Sequence, residues 1–583
     1  MRKPLTDEDL IERGALDGRV AFAIAAFVAL AGLLALLDRV GAPETLVRLL
    51  GPLFVLAALA TVGVLLRSMR VSRYYAAGRA VPTPYVGFAA VATCAGLAIP
   101  FLPPAPETLG ASVTAGAAIG LVAAFVGFGP YIRKTGAFSV VDLIATRFPN
   151  VALRLGLAVT VAAVGALVGL AGFDIAIGPV TELFGLPRAV VAAGLAFVLV
   201  LVAAPGGVSG IVWAANGAAG VLLAALALPS GVLMARGEMP SFLGSSPLWS
   251  EAAAQILVWQ QGGSIVGGVP AMVGAALAAA ALVPLLTASV AARDSAAALR
   301  AGGLAVGWSL LTALLFGAVL LWGSVVFSRV IVGKAPDRLP DAVYTASAAG
   351  LVDICGGRVA SPAAARAACA RRGSASAPLA VADAKPRAAL LLVNLAGASG
   401  AGAAGVGLLT AAVLAVGLTL AAAGFFLCAT ALGHDMFYRV RSRQAQTSRR
   451  LAVTRALLVG TLALGAAVTG ARDIDARLLI GLAAALAAAA ILPLLALSVH
   501  PRVIGRDAVI ALLIGLVGAE AVLFAQEPTL DVLLRAALAG AVSGVVAGLA
   551  AATILPGDRT GSRAFVDAVL HGKGDVLAPD KGV

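Results

Sequence analysis

Charge is scarce in this chain. Only 12% of its 583 residues are Asp, Glu, Lys or Arg, aromatics make up 5%, and there are three histidines and four cysteines. A soluble chain of this length needs a far larger charged shell, which excludes an ordinary globular protein. Four cysteines exclude a disulfide-dense secreted scaffold. The cysteines and histidines show no metal-ligand spacing. Glycines such as that in "GRAVP" lack the strand–loop–helix context that phosphate binding needs. No nucleophile, metal or cofactor motif supports a membrane enzyme, so no catalytic residue and no organic cofactor are expected. The formal charge of +13 does not point to nucleic acid, because the arginines lie in short loops between apolar runs, where they set orientation.

What is abundant is apolar. Hydrophobic residues make up 61% of the chain and mean hydropathy is +1.00. Runs of about 20 apolar residues recur, each able to cross a hydrocarbon core of about 30 Å. A β-barrel would show short alternating strands instead. The expectation is an all-α polytopic membrane protein with fourteen spans, near 20–39, 46–66, 82–103, 109–131, 151–175, 188–205, 208–235, 270–291, 302–328, 403–432, 452–471, 475–498, 507–526 and 532–556. The 68 glycines and abundant alanines suit close helix packing, although a coding bias toward Ala and Gly accounts for part of them.

Alternate loops are basic. They hold Arg67, Arg70, Arg73 and Arg79; Arg133, Lys134 and Arg147; Arg293 and Arg300; Arg439 to Arg450; and Arg502 and Arg506. The intervening short loops carry Glu44, Glu107, Glu182, Glu238, Glu251, Glu527 and Asp531. The positive-inside rule places the arginine set and both termini in the cytoplasm of a bacterial-type inner membrane. The first span is too long for a signal peptide's apolar region and a second follows at once, so it is expected to be retained. A long loop at 329–387 falls outside and contains Cys355 and Cys369. They form either a disulfide or two unpaired thiols. "GASGAGAAG" at 397–405 suggests close packing at the tenth span.

Two segments read as broken helices. "AAVATCAGLAIPFLPP" (89–104) combines Gly96 with prolines 100, 103 and 104 and has no charged or amide side chain. "GGSIVGGVPAMVG" (262–274), followed by Pro284, interrupts the eighth span. Interrupted spans in corresponding positions of two halves point to a transporter's binding site.

Four patches together resemble the sodium:solute symporter family: "SRYYAAGRAVPTPYVGFAAVAT" (72–93), "TGAFSVVDLIATRFPNVALRL" (135–155), "GGVSGIVWAANGAAG" (206–220) and "ATALGHDMFYRVRS" (429–442). The His-Asp pair and "PLLTASVAARDSAAALRAG" (284–302) are most similar to its cation/acetate symporter branch. The resemblance implies a ten-helix inverted-repeat, LeuT-like core over 71–500. Its first repeat would be 82–235 and its second 270–498. An N-terminal segment with two helices (1–70), two C-terminal helices (501–556) and a cytoplasmic tail (557–583) would flank it.

The family's sodium lies between its first and eighth core helices. Carried over residue by residue, that site implies main-chain carbonyls near Ala92 and Ala95 and a hydroxyl at Thr419, whose alternative role is a bond to its own helix. The second hydroxyl position is Leu420. Two acids usual in the family fall on Thr93-Cys94 and on Ala215, where there is none. Sodium prefers five to six oxygens, so the expected site is degenerate and the coupling ion is Na+ or H+.

Asp174 and Glu520 are the ionisable groups at membrane depth. Asp174 is a candidate for proton coupling or an interfacial acid, and Glu520 reads as structural. His434 and Asp435 read as a gate or helix cap. Gly96, Trp213, Gly267 and Gly268 are expected to shape a pocket between the third and eighth spans. The implied function is symport of a small organic solute, a monocarboxylate such as acetate, with lipid and the solute as partners and a small partner subunit open. The alternative is a transport-inactive relative serving as a sensor or partner subunit.

Overall fold

A computed structural model describes residues 7–101, 110–236, 265–348, 352–371, 377–380, 383–386, 402–441 and 446–571. Prolines 103 and 104, Glu107, Glu238, Glu251, residues 262–264 and residues 397–401 of the glycine-rich stretch lie outside the described residues.

The chain is helical throughout. Two helices come first, α1 (Asp7–Val40) and α2 (Glu44–Leu65), then a short α3 (Val71–Ala76). Next come α4 (Thr83–Ala98), α5 (Gly110–Val122) running through a π-helical turn into α6 (Gly129–Thr135), a short α7 (Val140–Arg147), α8 (Val151–Phe184), α9 (Arg188–Gly206) and α10 (Val208–Ala235). They are followed by α11 (Ile265–Ala281), α12 (Val283–Thr287) and α13 (Ser295–Ile331). After an insertion come α16 (Gly402–Thr430), α17 (Thr447–Ala471) and α18 (Ala476–Ser498). Helices α19 (Gly505–Ala525), α20 (Leu530–Ile554) and α21 (Thr560–His571) close the described chain. By length and composition thirteen helices can cross a membrane, or fourteen if the bent α11–α12 pair is one span.

The two broken spans differ. Between α11 and α12 the axis turns by 43° at Leu282, whose ψ of 113° is extended, just ahead of Pro284. A proline there lacks the amide hydrogen a continuous helix needs. In α4 the helix instead continues through Gly96 to Ala98 and tightens into a 3₁₀ turn over Ile99–Phe101. A single interior glycine costs about 1 kcal/mol against alanine and does not break a packed helix. The disturbance falls at Pro100, the later end of the stretch that the sequence marked.

Helices α8 and α16 form the spine. They pack backbone against backbone because glycines face each other. A Cβ at Gly172 would lie 2.4 Å from the Ala421 nitrogen, and one at Gly424 would lie 2.4 Å from the Gly169 nitrogen. No larger residue fits at either place. α16 is the most enclosed span, with 89% of its apolar window buried.

The insertion packs onto the end of α13. Helix α14 (Asp341–Ala348), strands Val352–Ile354 and Ala384–Pro386 paired antiparallel, and helix α15 (Pro362–Ala370) share an apolar core with Phe327 and Ile331 of α13. Cys355 and Cys369 are bonded within it.

Candidate functional site: a cavity and the polar node beside it

A cavity of about 100 Å³ opens between α4, α10, α12 and α16. At roughly 10–15 Å³ for each water-sized group, it admits a ligand of about seven to ten such groups. Its walls are mostly apolar. Its polar side chains are hydroxyls: Thr93 from α4, Thr287 from α12, Thr430 from α16, and Ser139 and Tyr75 from the short segments beside them. No charged residue lines it among the described residues. Thr430 is 5% exposed and its Oγ1 has no hydrogen-bond partner.

Ser139 belongs to two sites. It caps α7, accepting the Asp142 amide hydrogen at 2.9 Å, and it donates to the Asp435 carboxylate, 2.9 and 3.0 Å from its two oxygens. Asp435 and His434 stand on a π-helical continuation of α16, Ala431–Arg441. Such wide turns recur at functional sites. Both residues are fully buried.

The two carboxylates at this node have different surroundings. Asp142 binds Arg154 at 3.3 Å and Arg439 at 3.0 Å. Asp435 has Ser139 as its hydrogen-bond donor, and its nearest basic atom is His434 Nε2 at 3.9 Å. Arg450 donates to His434 Nδ1 at 2.8 Å. Arg450 lies over Tyr438 at 4.1 Å and Tyr75 at 5.3 Å. The Tyr75 hydroxyl pairs with Thr454 Oγ1 at 2.7 Å, and burial raises its phenol above the ordinary value.

Ligand atoms of Asp142, His434 and Asp435 lie within 4.8 Å of one another, a juxtaposition sequence spacing did not reveal. The donor set does not fit a metal ion. A guanidinium only donates, so His434 Nδ1 is an acceptor already in use and the neutral ring carries its proton on Nε2. That nitrogen is buried without a partner and has no lone pair to offer. Asp142 is already held by two arginines.

Ala92 and Ala95 are buried on α4. The Ala95 carbonyl accepts the Ile99 amide hydrogen within the helix and is not freed by a break. Thr419 Oγ1 donates within its own helix, 3.0 Å from both the Ala415 and Val416 oxygens. Leu420 packs against Gly96, where an added Cβ would be 3.1 Å from the leucine Cβ. An apolar side chain thus fills the seam where a second hydroxyl was sought.

Trp213 packs at a tilt against Tyr85, ring centroids 5.0 Å apart, while its neighbour Val212 lines the cavity. Gly268 packs against Ser112 on α5, with Gly267 one residue earlier in α11. Asp174 pairs with Arg188, which also reaches Asp473 at 3.2 Å and the Thr469 oxygen at 2.6 Å. Glu520 is exposed on α19. Trp213, Gly268, Asp174 and Glu520 do not line the cavity.

No family model matches the chain. It is 35% identical over 96 residues to an uncharacterized symporter of Cupriavidus necator, a match covering 16% of this chain and 14% of that protein's length. It superposes on a Na+-coupled sialic acid symporter, solved substrate-bound and outward-open, with a TM-score of 0.64 over 88% of this chain and 98% of that one, at 15% identity. The chain has a LeuT-like transporter fold. At that identity the likeness carries the architecture, and the chemistry has to be argued from the residues.

Proposed function

We propose that the protein is a symporter of the sodium:solute type, nearest to the cation/acetate branch, which carries a small monocarboxylate through the cavity beside α4 and α12. The observation that carries this is the position of the cavity. It lies at the broken second-half helix and its first-half counterpart, against α16, within a transporter fold. The relative in Cupriavidus necator, named a symporter, agrees with it.

The lining supports coupled rather than solitary movement of an anion. An unpaired carboxylate in an apolar, uncharged cavity costs several kcal/mol, so a cation that travels with it removes that cost. The hydroxyls of Thr93, Thr287 and Thr430 suit a small polar head. On this reading the α3 and α7 face is the cytoplasmic side of a bacterial inner membrane, which the positive-inside rule supports through the arginine-rich loops. For sodium, the candidate oxygens are the Ala92 and Ala95 carbonyls and the Thr419 hydroxyl, all three of which also serve the helix backbone.

The test is uptake of labelled acetate into proteoliposomes, with sodium and proton gradients imposed separately. Accumulation under one gradient is expected. Absence of uptake under both, across a panel of small carboxylates and neutral solutes, would leave the inactive sensor or partner subunit as the reading. Sodium-driven uptake that survives Thr419→Ala would rule out that residue as an ion ligand.

A further inference from the structure

We propose that Asp435 is the site that binds and releases the coupling proton, and that Ser139 reports its state to the cavity. This rests on the symporter reading. Asp435 is fully buried. Among the described residues, no arginine or lysine pairs with it and Ser139 is its hydrogen-bond donor. The arginines of the node are engaged elsewhere: Arg154 and Arg439 on Asp142, Arg450 on His434. The second, independent observation is the Nε2–H of His434, fully buried, without a partner and 3.9 Å from the Asp435 carboxylate. A carboxylate with an idle donor at that distance has two arrangements, one turned to Ser139 and one turned to His434.

The groups facing Asp435 are Ser139 and Asp142 from α7 and its cap, Arg154 from α8, and His434 and Arg439 from its own segment. Arg450 from α17 and Tyr75 from α3 lie behind His434. Asp142 is the one other acid among them, and two guanidiniums pair with it. The two carboxylates are thereby separated in role, one fixed and one free to take up charge.

The proton balance is simple. With Asp435 ionised, Ser139 spends its single hydroxyl hydrogen on the carboxylate. A proton arriving from water forms an O–H bond on Asp435, and that O–H now donates to Ser139 Oγ. Ser139 still accepts from the Asp142 amide, so both its lone pairs are filled and its hydrogen turns to the cavity it lines. There it can serve a solute oxygen beside Thr430, whose Oγ1 has no partner. Release of the proton reverses each step, and no other bond forms or breaks.

The experiment uses the full-length protein. Wild type, Asp435→Asn, Ser139→Ala, Asp174→Asn and Glu520→Gln are purified and reconstituted. Two readouts are taken: acetate accumulation under an imposed proton gradient without sodium, against acetate exchange at equilibrium, and the infrared carboxyl band of the detergent-purified protein across pH. In Asp435→Asn, accumulation should fall by about tenfold or more while exchange persists, and the pH-dependent carboxyl band should disappear. Ser139→Ala should keep the band and lose accumulation. Glu520→Gln should match wild type.

Accumulation kept in Asp435→Asn, lost in Asp174→Asn, or driven by sodium alone overturns the proposal. If wild type moves no solute at all, the symporter reading falls and the infrared band alone decides. A band lost with Asp435 upholds the proton site, and a band unchanged refutes it. Should Asp435→Asn not fold, Ser139→Ala carries the test, and accumulation unchanged in that variant refutes the link to the cavity.

Discussion

The two faces of the membrane domain are cross-linked in different ways. On the face of the arginine-rich loops, Asp142, Arg147, Arg450, His434 and Asp435 are each under 5% exposed and are tied to residues far away in sequence. Arg147 donates to the oxygens of Ser498, His500 and Val503 and to Ser562 Oγ, and it lies between the rings of Phe148 and Phe565. Burial lowers its pKa to about 10, so it stays charged at neutral pH. On the opposite face one arginine, Arg188, bridges Asp174 and Asp473, and the Asp473 side chain is 87% exposed. A dry network resists opening because every broken link strands a charge. A wet bridge exchanges its partners for water at little cost. The opposite face is therefore the easier one to open, and the arginine-rich face needs a trigger.

That contrast can be broken in steps. Asp142→Ala leaves Arg154 and Arg439 without their shared carboxylate and should cost about 3–5 kcal/mol, seen as a large fall in Tm or loss of monodisperse protein. Arg147→Ala removes four hydrogen bonds from a charged donor and should cost about 2–4 kcal/mol. It should also expose α21 to limited proteolysis, which separates it from a general loss of fold. Arg188→Gln, on the wetter face, should cost about 1 kcal/mol or less and fade further with added salt. A cost equal to that of Asp142→Ala would erase the contrast. Glu44→Gln, which removes an exposed pair with Arg48, should leave Tm unchanged within about 0.5 kcal/mol.

The spans, their alternating charge and the bent eighth span were readable in the sequence because hydropathy, arginine position and proline act locally. The cavity's bounding helices followed from the resemblance. Its lining did not, since neighbouring residues on one helix point different ways: Val212 faces the cavity while Trp213 turns to Tyr85. The node was illegible for a further reason. Ser139 and Asp435 are 296 positions apart, and each lies in a patch that looks like an ordinary cap or helix end. The disturbance in the third span lies at the Pro100 end of the 96–100 stretch that the sequence marked, since proline acts locally, while Gly96 itself stays helical against Leu420.

The Arg147 clasp has a consequence for how the chain is made. The guanidinium emerges early in synthesis, on α7 beside Phe148. Its acceptors lie at 498–503 and 562, and its second ring, Phe565, comes later still. Until that later stretch has been translated and inserted, Arg147 lacks all four of these acceptors, and the arginine-rich face stays unsealed. A nascent chain stalled before α18 thus displays an uncovered cation beside one apolar ring, a feature by which quality control can tell an unfinished copy from a finished one.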